Sequence, residues 1–119
     1  MNPANPTDAP QDSALSTALD KLWQRFLPEM IERITILEST VAAIAGSGFA
    51  PEQREAAQSA AHKLAGVLGT FGLARGTELA RELELALAAE FSHDAEAAAK
   101  FASAVAELRE LVQSRKASA

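Results

Sequence analysis

Apolar residues return every three or four positions along most of this chain, the spacing of one face of an α-helix. Leu15, Leu19, Leu22, Trp23, Phe26, Met30, Ile34, Leu37, Val41 and Ile44 form the first and longest stripe. Pro28 interrupts it, because proline removes a backbone donor and its ring crowds the preceding turn. The stripe stays in phase across Pro28, which predicts one kinked helix or two helices meeting near Leu27. Gly46-Ser47-Gly48 closes this element as a C-terminal cap would. Pro51 suits the first turn of a second helix, with Glu52 and Glu55 where the helix dipole favours negative charge. Its stripe is Ala57, Ala60, Ala61, Leu64, Leu68 and Phe71, and Gly69 and Gly72 loosen its end. A third helix runs from near Ala74 to about Ala89, with Ala80, Leu83 and Leu87 inward. Ser92 is placed to cap a fourth, with Asp94 and Glu96 in its first turn. That helix carries Ala98, Phe101, Val105, Leu108 and Val112.

Four in-phase stripes joined by short breaks predict an all-α, antiparallel up-down four-helix bundle. Trp23, Phe26, Leu64, Leu68, Leu83, Phe101 and Val105 are expected among its buried residues. Residues 1–12 hold three prolines and no periodicity, so they are expected to be a disordered lead-in. The bundle then occupies 13–113, and 114–119 is a flexible tail. Met1 followed by so short a tail is what a free-standing protein would show.

Composition narrows the class further. The chain has 119 residues, 48% hydrophobic and 23% charged, enough for one core and too few for two. Its 27 alanines raise helix propensity almost everywhere. There is no cysteine, which excludes disulfides, thiolate catalysis and zinc–thiolate sites. A net charge of −5 argues against binding a nucleic-acid backbone. No apolar run approaches the roughly 20 residues of a membrane span, and no signal peptide is evident. A cytoplasmic monomer is the expectation, without nucleic-acid or membrane partners.

One position carries candidate chemistry. On a helical wheel at about 100° per residue, His62 lies opposite the Ala57–Leu68 stripe and points to solvent. Its neighbours three, four and seven positions away are Glu55, Gln58, Ser59, Ala65, Gly66 and Gly69. Those downstream of the ring are all small. A glycine inside a helix costs about 1 kcal/mol against alanine, and this face carries two. Steric access to the imidazole is the simplest reason for them. Most lone exposed histidines are solvated side chains and nothing more, and His93, beside Ser92 and Asp94, reads that way.

With these residues in view, the segment Ala61-His62-Lys63-Leu64-Ala65-Gly66-Val67-Leu68-Gly69-Thr70-Phe71-Gly72-Leu73 resembles the signature of histidine-containing phosphotransfer (HPt) domains. That pattern is a histidine, an apolar residue two on, glycine four on and a second glycine ten on; His62, Leu64, Gly66 and Gly72 fill it. Glu78 to Glu84 looks like the family's next helix, and the resemblance extends from about residue 13 over most of the chain. It implies that His62 is the phosphoacceptor, that Gly66 leaves room for the phosphoryl group and the partner, and that Gly72 makes the turn into the third helix. It also implies that Glu84 orients the ring through its other nitrogen. Many members carry lysine three residues after the histidine, where this chain has Ala65. Lys63 and Arg81 are the candidates to replace that cation.

The resemblance further implies a bacterial-type two-component phosphorelay, with a response-regulator receiver domain and a histidine kinase or hybrid kinase as partners. The chain would be a phosphoprotein that carries phosphohistidine, rather than an enzyme with its own nucleotide site. No cofactor or metal site is expected, since receivers in such relays bring Mg²⁺ themselves. The rival reading is a helical adaptor that binds a receiver or kinase without being phosphorylated, which the alanine at 65 keeps open. A small hydrolase has little support, because no second titratable group is visibly paired with a nucleophile.

Overall fold

A computed structural model describes residues 8–46, 50–88 and 95–117, with side chains from 14 to 115 within those ranges. The chain forms four helices: α1 (Asp8–Ala45), α2 (Pro51–Thr70), α3 (Ala74–Ala88) and α4 (Ala95–Ala117). The described residues contain no strand. Each helix packs on the next and α4 returns to α1, while among the described residues the backbones of the diagonal pairs stay apart. That closed ring of neighbours is the expected antiparallel up-down bundle. Ser47, Gly48, Ser92, His93 and Asp94, assigned above to caps and loops, lie outside the described residues.

The core joins Trp23, Met30, Ile34, Leu37 and Ile44 of α1 to Leu64 and Leu68 of α2, Leu79, Leu83 and Leu87 of α3, and Phe101, Val105, Leu108 and Val112 of α4. Phe26 is half-buried and packs against this cluster rather than inside it. Of the two readings at Pro28, one helix is what forms: α1 runs through it, with Pro28 exposed. Trp23 and Met30, on either side of the proline, are buried in the same core. Packing on both flanks holds the helix together where propensity opposes it.

The helices outrun the expected ends. Residues 8–12, expected to lack order, belong to α1, and α4 continues past residue 113 to Ala117. Arg115 explains the second extension: its Nη2 donates to Asp20 Oδ1 at 3.0 Å, and its guanidinium lies 5.3 Å over the Trp23 ring. Leu15, placed in the first stripe, is 61% exposed. Among the described residues no helix covers it.

Two features fix α2 against α3, the pair that carries His62. Phe71, just past α2, meets the Trp23 ring edge-on at 5.0 Å, which anchors the turn to α1. Gly72 follows with φ +71°, a left-handed conformation that suits glycine, and turns the chain into α3. At the far end, Arg54 Nε donates to the Leu87 carbonyl at 2.6 Å, tying the start of α2 to the last turn of α3.

Candidate functional site

His62 lies in the second half of α2 with its side chain 73% exposed, as the wheel predicts. Its Nδ1 is 2.8 Å from Glu84 Oε2 on α3. An ionised carboxylate can only accept a hydrogen bond, so Nδ1 is the donor. In the neutral ring that selects the Nδ1–H tautomer and leaves a lone pair on Nε2. Glu84 is half-buried. Water therefore competes less for its carboxylate than for a fully solvated one.

The surroundings of the ring match the sequence reading in part. Glu55, Ser59, Gly66 and Gly69 are exposed, and Gln58 is half-buried. A Cβ built on Gly66 would meet no atom within 4 Å, so the space one turn along from His62 is open. Ala65 departs from expectation. It was placed on the open face, and it is 6% exposed within the core. It shares the core cluster with Ala80 of α3, which is fully buried. The slot for a lysine three residues after His62 is thus closed in this chain, not merely vacant.

Lys63 and Arg81 are both exposed, and neither forms an ion pair among the described residues. Arg81 lines a shallow groove with Gly69, Gly72, Ala74, Thr77 and Glu78, between the end of α2 and the start of α3. Sequence reasoning did not single out Thr77 or Gly76 there. Gly76 is buried, and a Cβ on it would come within 3.1 Å of Leu68 Cδ1, so it lets α3 approach α2 closely. The only sequence signal for it was a glycine inside a helical stretch, which costs propensity and asks for a packing reason.

No group of three or more His, Asp or Glu among the described residues is arranged to hold a metal ion. No helix among them is long and apolar enough to cross a membrane. What the site offers is a solvated imidazole nitrogen with an unshared pair, a carboxylate fixing the ring, and open space on one side. Such an arrangement can accept an electrophilic group on Nε2 and hold it in reach of a large partner.

The family model described as Hpt domain matches residues 21–117, most of the chain, and the protein belongs to that family. Hpt domains are phosphocarriers rather than enzymes with nucleotide sites, and membership supports a phosphotransfer role in a phosphorelay. Protein RcaC of Microchaete diplosiphon is 39% identical over 66 residues, which cover 56% of this chain and 10% of that protein. The match thus spans about a tenth of the relative's length. No solved structure matches significantly.

Proposed function

We propose that this chain is a phosphoryl carrier in which His62 accepts the group, relaying it between a sensor kinase and the receiver domain of a response regulator. The observation that carries the reading is the 2.8 Å contact between Nδ1 and Glu84 on an otherwise solvated ring. In the receiver step, the Nε2 lone pair attacks the phosphorus of an aspartyl phosphate. The N–P bond forms as the P–O bond to the aspartate breaks, and the electron pair returns to that carboxylate. Nδ1–H stays in place, and Glu84 balances the positive charge that develops on the ring. Gly66 gives the phosphoryl group and the partner their approach. The receiver brings the acidic pocket and Mg²⁺, so the chain needs neither.

The test is phosphate uptake from a phosphorylated receiver domain or an autophosphorylated kinase. Native protein should acquire acid-labile phosphate, and His62→Gln should acquire none while keeping its helical circular dichroism. Uptake by His62→Gln would overturn the assignment. Binding of the receiver without any phosphate uptake by the native chain would favour the adaptor reading.

A further inference from the structure

The missing lysine leaves a new phosphoryl group without a partner on α2, and the register of α2 against α3 supplies one from the opposite helix. Two pairings define that register. His62 meets Glu84, and Gly69 faces Thr77, whose Oγ1 would lie 3.7 Å from a Cβ on Gly69. The two pairings are seven residues apart on each helix, in opposite directions. Halfway between them, Ala65 and Gly66 stand across from Ala80 and Arg81. The alanines are buried and form the seam, whereas Gly66 and Arg81 are exposed along the same edge as His62. A Cβ on Gly66 would meet no neighbouring side chain within 4 Å, so the surface one turn along from the imidazole is open.

The geometry points to Arg81 as the residue that neutralises phosphohistidine here. With a phosphoryl group on His62 Nε2, the Arg81 guanidinium swings across Gly66 and pairs with its oxygens. This deepens the carrier reading and rests on it. A planar guanidinium suits two phosphoryl oxygens at once, which a lysine ammonium does not. Nearby carboxylates leave Arg81 available: Glu84 is engaged with His62, and Glu78 with Arg75. Lys63 projects about 100° around α2 from His62, on the side away from Ala65 and the α3 seam. Gly66 then serves as the passage for the arginine, besides giving a partner access.

The experiment uses the full chain loaded by phosphoramidate, a small donor that transfers its phosphoryl group to an imidazole nitrogen as its bond to ammonia breaks. Phosphorus NMR then follows the phosphoryl titration with pH, with no partner protein present. A nearby cation favours the doubly charged phosphoryl form, so Arg81→Gln should raise the midpoint by roughly half a unit. Arg81→Lys should retain most of the native value, and Lys63→Gln all of it. Gly66→Leu should reproduce Arg81→Gln, an effect that partner access alone would not produce. An unchanged midpoint in Arg81→Gln, or a shift in Lys63→Gln instead, overturns the inference and leaves the carrier reading standing. A native chain that takes no phosphate on His62 overturns both.

Discussion

Glu84 holds the His62 ring through one charge-assisted hydrogen bond, and its removal gives the most direct reading of what that bond contributes. Glu84→Gln keeps the shape of the side chain but loses the charge that favours Nδ1–H. At an exposed ring the bond is worth about 1 kcal/mol, so phosphotransfer should slow about fivefold. The ¹⁵N spectrum of the imidazole should show the Nε2–H tautomer gaining population; an unchanged spectrum would mean that Glu84 does not set the ring. Ala65 gives a second prediction. Because it is buried, Ala65→Lys should not simply add a useful cation; it should overpack the seam with α3 and destabilise the fold by about 1–3 kcal/mol in urea unfolding. His62, Gly66 and Gly72 were legible in the sequence because they fill a spaced signature, and because a glycine within the helix costs propensity on the face that carries His62. Ala65 was not, since a wheel drawn for one helix weighs alanine weakly. Its burial is set by how α2 packs in the bundle, which its own helix does not encode.

Between elements, α3 and α4 are tied at the surface by Arg75, which donates through Nε and Nη2 to the two oxygens of Glu107. The hydrogen bond from Arg75 holds Glu107 below the usual carboxylate range, with the guanidinium charge acting in the same direction and desolvation opposing it. A carboxyl whose folded pKa lies below its unfolded value stabilises the fold at pH above the unfolded value, near 4.5, and loses that contribution as pH falls through the folded one. Acid should therefore loosen the α3–α4 face. Arg75→Ala should flatten the loss of stability below about pH 4.5 relative to native, as followed by thermal melts at stepped pH. An identical acid limb in both proteins would show that the pair contributes nothing. The helices themselves were legible as elements, for their apolar spacing is unambiguous. The pairings between them were not: Arg75–Glu107 leaves no mark within either helix, and Gly76 signals a close approach without naming Leu68 as its partner.

At the scale of the molecule, the feature that periodicity could not supply is how far α1 runs past its neighbours. Its 38 residues make a rod of about 57 Å, against about 35 Å for the 23 residues of α4. The apolar stripe continues to Leu15 beyond the level where Arg115 meets Asp20, and Leu15 is left exposed. The family match begins only at residue 21, inside α1. Trp23 is the first residue of α1 buried in the core, close to where that match begins. Removing residues 1–17 keeps Asp20 for Arg115 and all of the buried α1 residues. It should shift the melting temperature by no more than about 3 °C, which for a domain of this size is under 1 kcal/mol. Trp23→Ala, by contrast, truncates a ring that is 1% exposed and packed edge-on against Phe71. It should cost about 3–5 kcal/mol and lower the melting temperature by more than 10 °C. A truncated protein that melted as low as Trp23→Ala would mean that the projecting turns pack on something in solution, and a concentration dependence of that loss would identify it as a second copy of the chain.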